Sequence, residues 1–227
     1  FGPALIITLL GFILAYQFVD PAPPSRIRIA SGHEEGAYHL FAKRYREYLA
    51  QEGIELEILT SAGSVENIQL LESAEVDIAF VQGGLASSAV SNNLLSLGSF
   101  YYEPLWLFYR QELEINRLTG LKQRRVAVGT ERSGTRALAL QLLGDNRLSE
   151  ENTEILAIGG REAADALLAG EIDAAFFVTS PQSPLVSGLL KSGALKLMSF
   201  ARADAYSHLH PHLTGITLPE GVVDMER

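Results

Sequence analysis

The chain has 227 residues, no cysteine and a formal net charge of −9 at pH 7. An acidic balance without a cluster of lysine and arginine argues against a nucleic-acid surface, which requires a basic stripe. The lack of cysteine excludes disulfide bonds, thiolate metal sites and cysteine nucleophiles. The length allows two modest lobes or one larger domain.

An uncharged apolar run occupies residues 1–19, close to the roughly 20 residues that a helix needs to cross a bilayer. A secretory signal peptide is the alternative, but the run is long for one and no small-x-small cleavage site precedes Asp20. Residues 20–25 are rich in proline and separate the run from the first strand. We therefore predict a transmembrane anchor over residues 1–19 and a linker over residues 20–25.

The next part of the chain alternates strands and helices, as an α/β fold does. Strands are predicted over residues 27–31, 55–60 and 76–81, with helices over residues 37–51 and from Ser64. Ser64 has the residue type of a helix N-cap.

A further helix is predicted to begin at residues 82–84. Residues 95–110 form an apolar stretch that Glu103 and Pro104 interrupt, which predicts two strands or one bent strand passing between lobes.

The second half repeats the alternation of strands and helices. Strands are predicted over residues 125–128, 155–158, 172–178 and 195–200, and helices over residues 134–144, 162–169 and 184–190.

Residues 70–81 (LLESAEVDIAFV) and 167–178 (LLAGEIDAAFFV) have similar sequences. This echo predicts two βαβαβ units, and ligands of such open sheets lie beyond the carboxyl ends of the strands. Coincidence between alanine-rich α/β sequences is the alternative. We predict one lobe over residues 26–107, a second over residues 108–205, and a return segment toward lobe one over residues 206–227, which stops before that lobe is complete.

Two glycine turns run into predicted helices with hydroxyl side chains at the start. Residues 128–136 (VGTERSGTR) contain one and residues 63–67 (GSVEN) the other, and the two turns are expected to face each other across a cleft. Backbone N–H groups and the positive end of a helix there hold a carboxylate or phosphate oxygen. Simple helix capping by Ser133 is the alternative. No Walker loop and no GxSxG motif is present, which counts against phosphoryl transfer and serine hydrolysis.

Two histidine-containing segments are candidate metal sites: His33 beside two glutamates, and the alternating histidines of residues 208–212. Neither has the helical i, i+4 spacing of a histidine pair such as HExxH. A solvated loop and a surface turn account for them, so we expect no metal ion and no cofactor.

These residues, in this order, resemble the TAXI family of solute receptors, which are associated with TRAP transporters and related to NMT1-like receptors. The pieces that carry the resemblance are IASGHEEGAY from residue 29, AGSVENIQLL from 62, DIAFVQGG from 77, SLGSFYYEPLWLFYR from 96 and SGT from 133.

The resemblance implies a bilobal type II periplasmic-binding-protein fold that closes on a small organic anion, such as the amino acid glutamate or a dicarboxylate. The solute would then pass to the integral membrane subunits of a TRAP-type transporter. With its anchor, the receptor would stand on the periplasmic side of a bacterial inner membrane. The alternatives are a membrane-anchored ligand-sensing module and, less favoured, an anchored enzyme, since bilobal scaffolds host unrelated chemistries. No nucleophile, base and orienting group come together in the predicted loops, so no catalytic residue is expected.

The same resemblance implies the ligand-binding residues. They are Gly36 and Tyr38 in the first loop, Gly63, Ser64 and Asn67 in the second, Gln82 after the third strand, Ser133, Gly134 and Thr135 in the anion-holding turn, and Thr179 and Ser180 after the last ligand-facing strand.

The chain departs from the family pattern in its first loop. His33, Glu34 and Glu35 stand where the family has glycines and small residues, and His39 replaces a second tyrosine. Two carboxylates beside an anion site would repel the ligand unless they point outward.

Overall fold

The computed structural model describes residues 2–16, 24–85, 93–181 and 183–219. The helices are α1 (Gly2–Tyr16), α2 (Ala37–Gln51), α3 (Ser64–Glu72), α4 (Gly134–Asp145), α5 (Gly160–Leu168), α6 (Pro184–Lys191) and α7 (Ala203–Leu209), with a short 3-10 helix at Leu118–Leu121. The strands are β1 (Arg26–Ala30), β2 (Glu55–Leu59), β3 (Ile78–Ala79), β4 (Leu105–Arg110), β5 (Arg125–Ala127), β6 (Glu154–Leu156), β7 (Ala174–Val178) and β8 (Leu195–Leu197).

The first sheet has the order β2-β1-β3 and is parallel throughout. Its core is small, with Ile29, Ala42, Leu56 and Phe80 as the buried members of its apolar cluster. The strand predicted over residues 76–81 shortens to Ile78–Ala79.

The second sheet has the order β6-β5-β7-β4-β8, with β4 antiparallel to both of its neighbours. Trp106 to Tyr109 are buried because helices and loops cover both faces of this sheet, where two apolar clusters form. Of the apolar stretch predicted as one or two strands, only β4 is a strand, and it begins directly after Pro104, which has no N–H to donate to a ladder. The predicted lobe boundary between residues 107 and 108 falls inside β4, whose pairing is with the second sheet.

The sequence echo corresponds to a repeated piece of structure. In the first sheet Asp77 accepts a hydrogen bond from the backbone N–H of Arg28 at 2.7 Å, while its own N–H donates to the Arg28 carbonyl. In the second sheet Asp173 makes the same pair of contacts with Arg125, the carboxylate accepting at 2.8 Å. Each aspartate therefore ties the start of the last strand of its unit to the first strand.

The N-terminal helix differs from the predicted transmembrane anchor over residues 1–19. It spans Gly2–Tyr16, and 15 residues at 1.5 Å each extend about 22 Å, less than the roughly 30 Å of a hydrocarbon core. Within the described ranges, no helix combines the length and the apolar character needed to cross a membrane. Residues 17–23 of the predicted anchor and linker lie outside the described residues. The helix predicted to begin at residues 82–84 does not begin there, because these residues form a loop and a turn, and residues 86–92 lie outside the described residues.

The segment after β8 contains a helix, α7, that the sequence patterns did not predict. Beyond α7, His210 Nε2 lies 2.6 Å from Asp145 Oδ2 on α4, and Leu213 packs against an apolar cluster of the second sheet. The ring of His212 then occupies the space into which a side chain at Gly84 would project. The described part of the predicted return segment thus contacts the second-sheet unit and also Gly84, which follows β3 of the first sheet.

Candidate functional site

A cavity of about 120 Å³ lies where the carboxyl-end loops of the two sheets meet. Its lining residues are Ser31, Gly32, His33, Gly36, Ala37, Tyr38, Ala62, Gly63, Ser64, Gln82, Glu103, Ser133, Gly134, Thr135, Val178 and Thr179. Apart from Glu103, which precedes β4, and Val178, the last residue of β7, these residues follow β1, β2, β3, β5 and β7. The two glycine turns predicted to face each other do come together. An added Cβ on Gly63 would stand 3.3 Å from Ser133 Cα.

Most of the residues predicted to bind ligand line this cavity, and Asn67 and Ser180 do not. Asn67 is fully buried beneath the loops, where its Nδ2 donates to the Phe80 carbonyl at 2.7 Å and to the Ala30 carbonyl at 3.5 Å. Its Oδ1 accepts from the Ser61 hydroxyl. Asn67 therefore holds the ends of β1 and β3 together and cannot reach a ligand in the cavity. Ser180 is half-buried, one residue beyond the lining.

The helix α3 begins differently from the prediction, in which Ser64 is its N-cap. Gly63 is the N-cap, at φ 129°, a backbone conformation that glycine adopts without strain. Ser64 is the first helical residue, and its Oγ accepts a hydrogen bond from the Gln82 N–H at 2.9 Å. The serine therefore fixes the position of Gln82, a predicted ligand contact, instead of capping its own helix.

The N-terminus of α3 is already occupied by the opposite side of the cleft. The Arg132 carbonyl accepts hydrogen bonds from the N–H groups of Val65 at 3.2 Å and Glu66 at 3.3 Å. Arg132 is held at φ 60°, an uncommon conformation for a residue with a side chain, and its guanidinium pairs with Glu66 at 3.4 Å. The expectation that two helix N-termini hold the ligand is therefore wrong for α3, because these amide groups have a protein acceptor.

The N-terminus of α4 remains directed at the cavity. Ser133 caps it, since Ser133 Oγ accepts from the Arg136 N–H at 3.1 Å and donates to the Thr130 carbonyl at 2.7 Å. Among the described residues, the N–H groups of Gly134 and Thr135 have no acceptor, as is usual for the first turn of a helix. Helix capping and cavity lining therefore occur together, and α4 offers the donors for an anionic group.

A carboxylate in the cavity was missed by the sequence patterns. Glu103 accepts hydrogen bonds from the hydroxyl groups of Tyr38 and Tyr101, the second at 3.2 Å. Burial raises the pKa of Glu103 above its usual range, although both tyrosine hydrogen bonds oppose this shift. Burial, with the nearby Glu103 charge, also raises the pKa of Tyr38 above that of an ordinary phenol. In the sequence, Glu103 stands only as part of the Glu103–Pro104 interruption of an apolar stretch.

A buried serine–histidine pair supports the first loop. Ser31 Oγ lies 2.9 Å from His39 Nδ1 and donates to the Leu59 carbonyl at 3.1 Å. The two side chains therefore share a buried hydrogen bond. Burial, followed by the charge of Lys43, lowers the pKa of His39, so the ring is neutral at pH 7. His39, noted in the sequence only as a departure from the family pattern, therefore stabilises the wall of the cavity.

The two glutamates of the first loop point away from the cavity. Glu34 and Glu35 are exposed, and Glu35 Oε2 lies 3.5 Å from Arg161 Nε. His33 reaches the rim, where its Nε2 lies 3.5 Å from Thr130 Oγ1. The repulsion expected from these carboxylates does not apply inside the cavity. Within the part of the chain that the structure describes, no group of three or more histidine, aspartate or glutamate side chains is arranged to hold a metal ion.

Comparison with known proteins gives one family match. The model of the NMT1-like family matches residues 29–226, which is most of the chain.

Solved structures share the fold. The alkanesulfonate-binding protein SsuA from Xanthomonas axonopodis pv. citri, bound to MOPS, is 20% identical with a TM-score of 0.58, over 79% of this chain and 62% of that one. The periplasmic aliphatic sulphonate binding protein SsuA from Escherichia coli is 15% identical with a TM-score of 0.55, over 83% of this chain and 68% of that one. The CcmR regulatory domain of Synechocystis PCC6803, in complex with 2-PG, is 19% identical with a TM-score of 0.57, over 78% of this chain and 81% of that one.

The fold is therefore α/β and like that of periplasmic binding proteins. The chain spans 62% of the length of the Xanthomonas protein.

Proposed function

The chain belongs to the NMT1-like family, and from that premise we propose that it is a non-catalytic solute-binding protein. Its ligand is a small organic molecule that carries at least one carboxylate, as an amino acid or a dicarboxylate does. The ligand occupies the cavity between the loops of the two sheets.

The observation that carries this proposal is the cavity together with the α4 N-terminus that faces it. Gly134 and Thr135 present N–H groups that have no acceptor among the described residues, at the positive end of a helix. The walls come from two sheets with separate cores, as in proteins that close on a ligand by a hinge motion. We take residues 26–107 and 108–205, adjusted to leave β4 whole, as the two lobes of such a hinge.

The proposed partners are the integral membrane subunits of a TRAP-type transporter, to which the receptor delivers its ligand on the periplasmic side of a bacterial inner membrane. The resemblance of the sequence to TAXI receptors supports this choice. We further propose that the apolar N-terminal segment attaches the receptor to the membrane. What supports attachment is α1, which has no charged residue and whose large apolar side chains are exposed.

Two measurements test solute binding on the purified full chain. Native mass spectrometry is expected to show a co-purified small molecule, and a panel of amino acids, monocarboxylates and dicarboxylates is expected to contain a member that raises the melting temperature. Gly134→Val fills the cavity next to Gln82 and should abolish that rise. Gly144→Val is its matched control, because nothing lies within 4 Å of a Cβ there. A panel without any effect on the melting temperature contradicts the proposal.

Membrane attachment has its own test. Cells that express the full chain and cells that express a variant without residues 2–16 are fractionated. The full chain should appear in the membrane fraction and the shortened variant in the soluble fraction. An unchanged distribution rules out α1 as the attachment.

A ligand-sensing module is the second candidate, because the CcmR regulatory domain has a similar fold. A transport receptor should supply its ligand to reconstituted membrane subunits, whereas a sensor should change a regulated partner without transport. Uptake of the labelled ligand into vesicles containing those subunits separates the two.

A further inference from the structure

The cavity has an unbalanced set of charges. Among its lining residues, Glu103 is the single carboxylate, and neither lysine nor arginine is present. A buried carboxylate is costly unless hydrogen bonds or a cation compensate for the lost water. Within the described ranges, no lysine, arginine or histidine lies within ion-pair distance of Glu103. The protein therefore leaves this charge without a cation.

Two phenols keep the carboxylate in place. Tyr38, on α2, donates to Oε2, and Tyr101 donates to Oε1 at 3.2 Å. Tyr38 is itself stacked on Phe80 with ring centroids 5.2 Å apart, and Tyr101 contacts Phe41 at the same centroid distance. A carboxylate has about four acceptor positions, so each oxygen can accept a further hydrogen bond from a ligand. Packing of both tyrosines thus holds Glu103 as an acceptor that is ready for a donor.

The lining also contains the opposite kind of group. The N–H groups of Gly134 and Thr135 are donors at the positive end of α4, whereas the carboxyl group of Glu103 accepts hydrogen bonds. A ligand with a carboxylate at one end and an ammonium group at the other satisfies both. A dicarboxylate places its second negative charge in a cavity that already holds a carboxylate, which disfavours it.

The volume restricts the ligand further. By this measure one water molecule needs about 10–15 Å³, so a volume of about 120 Å³ holds roughly ten water molecules. A compact ligand with a similar number of non-hydrogen atoms fits this space.

We propose that Glu103 is a specificity-determining residue that selects a compact zwitterion, whose ammonium group donates to its carboxylate, over monocarboxylates and dicarboxylates. This inference rests on the proposed solute-binding function.

The test uses matched pairs of probes that differ only in the ammonium group. Calorimetry on the full chain at pH 7 compares glycine with acetate and L-alanine with propionate, with succinate as the dicarboxylate. Each amino compound should bind roughly tenfold or more tightly than its partner, since a hydrogen bond to a charged group has that effect. Succinate should bind at least as weakly as propionate.

Glu103→Gln keeps the shape of the side chain and removes its charge. The variant should lose the preference, because affinity for L-alanine falls roughly tenfold while affinity for propionate stays the same or rises. Glu35→Gln is the matched control, since this exposed carboxylate lies outside the cavity, and it should preserve the preference of the wild-type chain.

The outcomes separate the two proposals. Wild-type binding of propionate or succinate as tightly as L-alanine overturns the role of Glu103 and leaves solute binding intact. Absence of binding by every probe overturns the inference, and a failed wider panel of solutes then overturns solute binding as well. A wild-type chain without the preference overturns the role of Glu103 even when Glu103→Gln does not fold.

Discussion

The two sides of the cavity are built by different means. On the first-sheet side, buried polar side chains hold the loops in place. Ser31 bonds to His39 and to the Leu59 carbonyl at the end of β2, and Asn67 bonds to the Phe80 carbonyl after β3. On the second-sheet side, the strands that lead to the cavity are buried in two apolar clusters, and Ser133 caps α4 above them. Polar support depends on a few directional bonds, whereas apolar support is spread over many contacts.

The two glycine turns have similar sequences but different contacts. Both run from a strand into a helix with a serine at the start, yet the amides at the start of α3 bond to Arg132 and those at the start of α4 face the cavity. A similar local sequence therefore has two roles, and the opposing loop decides which one applies.

The largest expected effect comes from breaking the polar support. Asn67→Ala removes the side chain that bonds to the Phe80 and Ala30 carbonyls, and should lower the free energy of unfolding by about 3 kcal/mol because buried acceptors lose their donor. Urea denaturation measures the change. Asn152→Ala is the control in the second half, where a more exposed amide donates to the Arg147 carbonyl, and it should cost about 1 kcal/mol. Equal losses in both variants would show that the first-sheet side has no special dependence on polar contacts.

The second-largest effect is expected at the glycine turn on the second-sheet side. Gly129 has φ 97°, and a Cβ there would stand 2.9 Å from both Arg136 N and Ser133 Oγ. Gly129→Ala should therefore destabilise the protein by about 2 kcal/mol in the same assay. Gly144→Ala, near the end of α4, meets nothing within 4 Å and should be neutral or stabilising by up to about 1 kcal/mol. A tolerated alanine at residue 129 would contradict the requirement for glycine in this turn.

A third prediction separates capping from ligand binding at α4. Ser133→Ala combined with Thr135→Ala removes the cap to the Arg136 N–H and should cost about 1 kcal/mol of stability without unfolding the protein. Ligand affinity should fall roughly tenfold, since the turn also lines the cavity. Calorimetry with the solute found by the panel measures this, and Ser73→Ala at the exposed end of α3 is the control. Unchanged affinity in the double variant would show that the hydroxyl groups of Ser133 and Thr135 do not contribute to ligand binding.

The smallest effect is a pH dependence of the first-sheet side. Burial lowers the pKa of His39 in the folded state, so its contribution is fully present above the unfolded pKa of about 6.5. Below that pH the unfolded chain takes up a proton that the folded chain resists, and stability falls by at most about 1.4 kcal/mol per pH unit for this one group. The nearby charges are Lys43, Glu34 and Arg46.

Thermal melts between pH 7.5 and 5 check this dependence. Glu103 has a raised pKa and acts in the opposite direction, so the difference between wild type and His39→Gln is the informative quantity. The variant should show a flatter profile, and His208→Gln on exposed α7 should keep the wild-type one. Identical profiles for wild type and His39→Gln would remove His39 as the titrating group.

The sequence patterns predicted most elements within a few residues, because apolar periodicity and glycine turns are local signals. They also predicted that the two glycine turns meet, since the carboxyl ends of parallel strands share one edge of a sheet. Three features escaped them: the placement of β4 within the second sheet, helix α7, and Glu103 in the cavity. Glu103 belongs to a segment without regular structure, whose course depends on how Phe100 and Tyr101 pack against the first sheet and α2.

By itself, the sequence determined the repeated βαβαβ units and the glycine turns at the strand ends, because apolar periodicity and glycine turns are local signals. Only the tertiary structure decided which polar residues support the cavity and which face it. Asn67 lies beneath the loops, Ser64 holds Gln82, Arg132 caps α3, and Glu103 enters the cavity from a distant segment. The physical reason is that hydrogen-bond donors and acceptors across the cleft compete for the same groups, and that competition has no trace in local sequence.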